Sequence, residues 1–226
     1  MTKIMKRFLE NNKEFLSDIE HLEKITGKTI LKKILANSDE INFLSARSEI
    51  KFGKYLAEKF DNNLEYEPNI LEKKPDWLVS TNEDKIICEV LRINIPNEKL
   101  QTKIKSYEAN ELNVDTSGCF VGLGCLNQND LQKVLKKEKT YRDLIINDDF
   151  KLIICIDASD WDKKIDVKDI KDSFDFKNDK SPFYHKDFTQ NVSGLIVMPY
   201  LGDTKFIHNI SVKNKLDPKN LEILKM

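Results

Sequence analysis

Three short apolar runs constrain the fold of this chain more than any other feature of its sequence. They lie at residues 86–93, 119–126 and 151–156 and read IICEVLRI, CFVGLGCL and KLIICI. Runs of this length are typical of buried strands, and none approaches the about 20 residues that a helix needs to cross a bilayer. Segments with helical periodicity separate them, so the sequence predicts an α/β fold with a central mixed β-sheet flanked by helices.

Length and composition favour one domain. The chain has 226 residues, of which 40% are hydrophobic and 33% are charged, and this is enough apolar material for a single core. It contains only 7 glycines and 6 prolines, and no stretch has the composition of a flexible linker. We therefore expect a single domain over 1–226, with an N-terminal helical segment at 1–40, a core at 41–156 and a C-terminal extension at 157–226 that adds strands.

Periodicity places the individual elements along the chain. Helices are predicted at residues 3–25, 29–37, 45–60, 97–112 and 129–142. Besides the apolar runs, strands are predicted at residues 64–71, 76–80, 194–198 and 205–208. The polar turn TNEDK follows the strand at 76–80, so this strand and the run at 86–93 are expected to form an antiparallel hairpin.

The charge balance and the start of the chain exclude several classes of protein. A total of 37 basic and 38 acidic side chains gives a net charge of −1, which excludes a uniformly basic nucleic-acid coat but leaves a local basic groove open. The first residues, MTKIMKRFLENNKEF, lack the apolar segment of a secretory signal, so a cytoplasmic protein with no membrane partner is expected. The spacing of the four cysteines and three histidines argues against a zinc site and against histidine-dependent nucleophilic catalysis.

One carboxylate occupies the middle of a predicted buried strand. Glu89 lies within the run IICEVLRI, where an ionised carboxylate is costly unless it is paired or bound to a cation. Two interpretations follow. Glu89 forms a structural ion pair, with Arg92 or a helix lysine as its partner, or it binds a metal ion.

Two further acids are expected to lie near Glu89. Asp76 follows Pro75 and opens the first strand of the hairpin, so it approaches Glu89 across the ladder. Two adjacent carboxylates repel each other unless a divalent cation lies between them, and oxygen-only ligation suits magnesium or manganese. Glu49 falls about 60° from Phe52 on its helix, on the apolar face toward the sheet. The alternative is that Glu49 lies at the edge of this face and extends to solvent.

Together these residues resemble the motif of the PD-(D/E)XK nuclease superfamily. That motif has a helix glutamate, then Pro-Asp at a strand, then an acid in the next strand, followed by a helix. The match extends over about residues 45–126 and consists of Glu49, Pro75-Asp76 and Glu89-Val90-Leu91.

The resemblance implies a restriction-endonuclease-like core, a Mg²⁺ or Mn²⁺ cofactor and cleavage of phosphodiester bonds in nucleic acid, with DNA as the expected substrate. It also implies ligand roles for particular groups. Asp76, Glu89 and the backbone carbonyl of Val90 are the expected ligands of the first ion. Glu49 is the expected ligand of a second ion, directly or through water.

The sequence departs from the superfamily pattern at one position. The pattern has a lysine two residues after the strand acid, and this chain has Leu91 there. Because that lysine stabilises charge and orients the attacking water, its absence indicates either an inactive protein or a lysine supplied from elsewhere. On the helix predicted at 97–112, Lys103 flanks the packing face and is the expected catalytic replacement, with Lys99 as the second choice.

Basic residues are expected to contact the nucleic-acid backbone. The segment at 133–142 reads KVLKKEKTYR and carries one acid among five basic side chains. The alternative for this segment is an ordinary solvated helix face. The expected contacts are Lys99, Lys105, Lys133, Lys136 and Lys137.

Two functions of different class follow from these observations. The first is a Mg²⁺-dependent nuclease, a phosphodiester hydrolase serving defence or repair, for which analogy with other nucleases leaves a homodimer open. The second is a catalytically inactive nuclease-like module that binds nucleic acid or a protein partner, and Leu91 favours it. A third interpretation is an α/β protein whose resemblance to the motif is accidental.

Overall fold

The computed structural model describes residues 8–36, 40–93, 128–159, 167–180, 184–199 and 202–226. Six strands within these ranges form one mixed, open sheet, and helices cover both of its faces. The strands are β1 (Leu64–Tyr66), β2 (Trp77–Ser80), β3 (Lys85–Arg92), β4 (Lys151–Ala158), β5 (Val192–Pro199) and β6 (Lys205–His208). The helices are α1 (Lys13–Thr26), α2 (Ile30–Ala36), α3 (Glu40–Lys59), α4 (Gln128–Asn147), α5 (Val167–Asp172), α6 (Lys186–Asn191) and α7 (Pro218–Lys225). The predicted α/β class and mixed sheet are confirmed.

The strands stand in the sheet in the order in which they occur in the chain. β1, β2 and β3 form an antiparallel meander, β3, β4 and β5 run parallel, and β6 returns antiparallel to β5. Central parallel strands are buried on both faces and therefore have nearly continuous apolar sequences. This is why β3 and β4 stand out in the sequence, whereas the edge strands β1 and β6 do not.

Several element bounds differ from the predicted ones. The strand predicted at 64–71 ends at Tyr66, because the chain turns immediately afterwards with a positive φ at Glu67 (44°) and again at Leu71 (47°). α3 begins five residues before the predicted helix at 45–60, and α4 extends to Asn147. The helix predicted at 97–112 and the strand predicted at 119–126 lie outside the described residues.

Side chains on the two faces of the sheet form two separate hydrophobic clusters. α1, α2 and α3 pack on one face, while α4, α5 and α6 pack on the other. Successive residues of a strand point to opposite faces, so Cys88 and Val90 join the first cluster, and Ile87 and Leu91 join the second. Glu89 shares the face of Leu91 and is thereby directed toward α4.

Trp77 fixes α3 on the sheet. Its side chain is fully buried, and its indole Nε1 donates to the backbone carbonyl of Glu49 at 3.0 Å. α3 approaches the indole so closely that a Cβ added at Gly53 would lie 2.2 Å from Trp77 Cζ2. Glycine at this position therefore sets the distance between α3 and β2.

Among the described helices, none combines the length and the hydrophobicity that a membrane-spanning segment requires.

The contact between Gly53 and Trp77 predicts that Gly53→Ala destabilises the protein. Displacing a buried indole costs about 1–3 kcal/mol, and the better helix propensity of alanine returns about 1 kcal/mol. We expect a net loss of up to about 2 kcal/mol in the free energy of unfolding, measured by urea denaturation. As a control on the same helix, Glu58→Ala at an exposed position should change stability by less than about 0.5 kcal/mol. A Gly53→Ala protein at least as stable as wild type would contradict this account.

Candidate active site

The β2–β3 hairpin brings Asp76 and Glu89 together. Trp77 is paired with Cys88 in the antiparallel register, so Asp76, one residue before β2, comes opposite Glu89. The backbone N–H of Asp76 donates to Glu89 Oε1 (3.3 Å), and the backbone N–H of Val90 donates to Asp76 Oδ2 (2.7 Å). Each acid is thus held by the backbone of the opposite strand, which places the two carboxylates side by side.

α3 carries Glu49 to the same site from the other face of the sheet. The hydroxyl of Tyr66 donates to Glu49 Oε2 (2.8 Å), and Lys33 Nζ in turn donates to that hydroxyl (3.1 Å). Glu49 is half-buried and lines a cavity together with Asp76. The side chain therefore faces the sheet, as its position on the apolar face of the helix predicts, and does not extend into bulk solvent.

α4 supplies two side chains that contact Glu89 from above the sheet. Lys137 Nζ forms an ion pair with Glu89 Oε2, and the hydroxyl of Tyr141 donates to Glu89 Oε1 at 2.5 Å. Only 2% of the Glu89 side chain is exposed, whereas 31% of the Lys137 side chain is, so the carboxylate end of this ion pair is removed from water. A helix lysine was one of the two partners that the sequence left open for Glu89, and the other, Arg92, lines the neighbouring cavity.

The basic residues of α4 have different surroundings in the structure. The sequence predicts Lys137 as a nucleic-acid contact, whereas its ammonium lies against Glu89. Lys133 lines the cavity and pairs with Asp130 at 3.4 Å, and Lys136 is exposed. Three other basic residues assigned from the sequence lie outside the described residues, namely Lys99, Lys103 and Lys105. Their roles stay predictions.

A cavity of about 240 Å³ opens beside the acids. Its walls combine two carboxylates with three cationic side chains, and Leu91, at the position of the motif lysine, contributes an apolar wall. A concave site with a few convergent charged groups is typical of a ligand-binding site. The lining residues are Ser45, Glu49, Asp76, Val90, Leu91, Arg92, Lys133 and Lys137.

The charges of the site perturb one another strongly. Burial, together with the negative charges of Glu89 and Glu49, raises the pKa of Asp76 to about 8. Burial also raises the pKa of Glu49, although the hydrogen bond from Tyr66 opposes that change. Burial alone would lower the pKa of Lys137, but the negative charges of Glu89 and Asp76 outweigh burial and raise it. The surroundings of Asp76 and Glu49 therefore disfavour their ionised forms. Side chains with pKa values perturbed in this way cluster at functional sites.

The two tyrosines that contact the acids remain neutral donors. Burial is the main cause of the raised pKa of Tyr141, and the charge of Glu89 raises it further. Burial and the charge of Glu49 act on Tyr66 in the same way. Both hydroxyls therefore donate hydrogen bonds to carboxylates without contributing a charge of their own.

The donor set decides which cation the site fits. Within the described ranges, no group of three or more His, Cys, Asp or Glu side chains is arranged to hold a metal ion. Glu49, Asp76 and Glu89 are therefore not a ready-made cluster of three acid ligands. What the hairpin offers is two carboxylates and the carbonyl of Val90, an all-oxygen set that fits Mg²⁺ or Mn²⁺ by its chemistry.

Tyr66 and Tyr141 are not predicted from the sequence, and Lys137 is predicted there as a nucleic-acid contact. Helical spacing carries the signal for α4: Lys137 lies three residues after Val134 and four before Tyr141, and both of these neighbours are buried. Lys137 thus shares the apolar face that packs on the sheet. The contact between Tyr66 and Glu49 has no such signal, because it depends on how α3 crosses β1.

Comparison of the chain with protein-family models, with curated proteins and with solved structures found no match. The functional assignment consequently rests on the geometry and chemistry of the site.

The raised pKa of Asp76 predicts an unusual dependence of stability on pH. The ordinary pKa of this carboxyl is 3.8, and the folded protein raises it to about 8. The stability that this group contributes is therefore fully present below about pH 4 and is lost as the pH rises through about 8. In metal-free buffer, Asp76→Asn should gain about 4 kcal/mol relative to wild type between pH 5 and pH 9, measured by urea unfolding.

An exposed acid near the site provides the control for this measurement. The Asp143 side chain is 82% exposed, so Asp143→Asn should follow the pH dependence of wild type. Parallel stability curves for Asp76→Asn and wild type would show that Asp76 is not strained by its burial and its acidic neighbours.

Proposed function

We propose that this protein is a Mg²⁺-dependent nuclease with a restriction-endonuclease-like core, and that DNA is its substrate. The observation that carries the proposal is the pair formed by Asp76 and Glu89. The hairpin holds the two carboxylates side by side, and Asp76 lines a cavity whose other charged groups are Glu49 and three cations. Cations beside an acid pair suit a phosphate group that approaches a divalent ion.

The order of elements supports the same proposal. Glu49 on α3 precedes the hairpin that carries Asp76 and Glu89, and α4 and the parallel strand β4 follow it. This is the order on which the resemblance to the PD-(D/E)XK superfamily rests. The structure adds a contact that the motif alone does not require, since a lysine from a helix after the hairpin reaches the strand acid.

In the proposed nuclease, Asp76, Glu89 and the Val90 carbonyl would bind the first ion. Glu49 would bind the second, directly or through water. A bound divalent ion lowers the pKa of a coordinated water and neutralises charge on the phosphate. The protein's own residues orient the substrate and exclude water. Leu91 walls the cavity, and the carboxylates of the hairpin are held in place by backbone N–H groups.

We assign to Lys137 the role of the motif lysine, for which the sequence predicts Lys103. The Lys137 ammonium already lies at Glu89, on the cavity wall, where charge develops during phosphodiester cleavage. A preorganised cation at such a position stabilises the transition state far more than it would in water. Leu91 therefore does not imply an inactive protein, because α4 provides a cation at the acid pair.

The nuclease proposal predicts the effect of three substitutions on cleavage of plasmid DNA with Mg²⁺ or Mn²⁺. Asp76→Asn and Glu89→Gln should abolish cleavage, because each removes a ligand charge. Lys137→Met should lower the rate by about 10²–10³-fold while the metal still binds. The matched control is Lys139→Met, an exposed position on the same helix, and it should cleave at the wild-type rate. Unchanged cleavage in both acid variants would eliminate the proposal.

A second candidate function is a catalytically inactive module that binds nucleic acid or a protein. The ion pair between Lys137 and Glu89 favours it, because the lysine compensates the buried acid within the protein itself. Calorimetric titration with Mn²⁺ discriminates between the two functions. A nuclease should bind Mn²⁺ and lose that binding in Asp76→Asn, whereas an inactive module compensated in this way should give no binding heat in either protein.

If Lys133 and Lys136 on α4 contact DNA phosphates, the affinity for DNA depends on salt concentration. Each phosphate contact adds about 0.9 to the slope of the logarithm of affinity against the logarithm of salt concentration. The double variant Lys133→Met/Lys136→Met should therefore reduce the slope by about 2, measured by fluorescence anisotropy with duplex DNA. A slope equal to that of wild type would show that neither lysine contacts the nucleic-acid backbone.

A further inference from the structure

We propose that Tyr141 and Tyr66 are positioning residues that fix the carboxylates of Glu89 and Glu49 for divalent cations. The inference rests on the proposed function and deepens it, since it assigns a role to two phenols that the nuclease motif does not include. The two residues lie on different elements and on opposite faces of the sheet, so each contact is an independent observation.

Tyr141 constrains the orientation of the Glu89 carboxylate. Glu89 Oε1 accepts from the Tyr141 hydroxyl at 2.5 Å and from the Asp76 backbone N–H at 3.3 Å, and Oε2 faces Lys137. Donors on both oxygens fix the plane of the carboxylate. An ionised carboxylate has about four acceptor positions, so these three donors leave one position for a cation.

The chemistry of Tyr141 differs from that of Lys137 in a way that matters for metal binding. A lysine cancels the charge of the carboxylate that it contacts, whereas a neutral phenol directs the carboxylate and leaves its charge available. Hydrogen-bond donors of this kind behind a metal ligand set its orientation and strengthen metal binding. Tyr141 is 3% exposed, so water does not replace its hydroxyl at Glu89.

Tyr66 repeats this arrangement at Glu49. Its hydroxyl donates to Glu49 Oε2 at 2.8 Å, and Lys33 Nζ donates to the hydroxyl oxygen at 3.1 Å. The lysine occupies the acceptor side of the phenol, so the phenol proton is directed at Glu49. The ring itself packs against Trp77, with 4.8 Å between the ring centroids.

The rings of both tyrosines are buried, and this makes a clean experiment feasible. Tyr141→Phe and Tyr66→Phe keep the packing of the ring and remove only the hydroxyl. The matched control is Tyr55→Phe, a half-buried tyrosine on α3 that lies outside the wall of the acid cavity. Mn²⁺ binding to the full chain is measured by calorimetry without nucleic acid, and Tm is measured separately in metal-free buffer.

Tyr141→Phe should weaken Mn²⁺ binding about 10–100-fold, and Tyr66→Phe should weaken or remove a second binding event. Tyr55→Phe should bind Mn²⁺ like wild type. In metal-free buffer Tyr141→Phe and Tyr66→Phe should each lower Tm, because a carboxylate loses one donor, whereas Tyr55→Phe should not. A loss of Mn²⁺ affinity measured at a temperature at which every variant is fully folded is the result that a purely structural hydroxyl would not give.

The possible failures are distinguishable. If Asp76→Asn abolishes Mn²⁺ binding while Tyr141→Phe and Tyr66→Phe bind like wild type, the positioning role is overturned and the nuclease proposal stands. If Tyr55→Phe weakens binding as much as Tyr141→Phe does, the hydroxyls have no specific role and the inference is overturned. If wild type itself binds no Mn²⁺, the inference and the proposed function fall together.

Discussion

The buried carboxylate of Glu89 is the constraint on which the rest of the site depends. A charge at the centre of a sheet strand has lost its hydration, so the protein has to provide compensating donors within hydrogen-bond distance. Three donors from two segments do so: the backbone N–H of Asp76, just before β2, and the side chains of Lys137 and Tyr141 on α4. Because α4 provides two of these donors, its position over the sheet is set by polar contacts as well as by apolar packing.

The functional groups come from both faces of the sheet and meet at the β2–β3 hairpin. α3 brings Glu49 from one face, held by Tyr66 and by the contact of Trp77 with the α3 backbone. α4 brings Lys137 from the other face. The hairpin lies between these helices and carries Asp76 and Glu89, so the site can form only when both helical layers are packed. Site geometry and global folding are therefore coupled in this protein.

The parts of the site that follow from local rules were predictable, and the parts that depend on packing were not. The proximity of Asp76 and Glu89 follows from a short turn and antiparallel register, both readable over about 15 residues. The contact of Lys137 with Glu89 joins residues 48 positions apart. Lys103, chosen because it flanks the packing face of the helix predicted at 97–112, lies outside the described residues and stays a prediction. That α4 covers Glu89 depends on tertiary packing, which no local pattern in the sequence encodes.

In the proposed nuclease, Leu91 occupies the position of the motif lysine, and the cation beside the acids comes from another element. On β3 the side chain two residues after Glu89 points to the face covered by α4, where Leu91 packs among apolar neighbours. A cation is needed at the acid pair, but it does not have to come from this strand. Lys137 reaches Glu89 from the covering helix, and Leu91 fills the space beneath it. What the structure shows is that the positive charge beside the buried Glu89 carboxylate comes from α4 and not from β3.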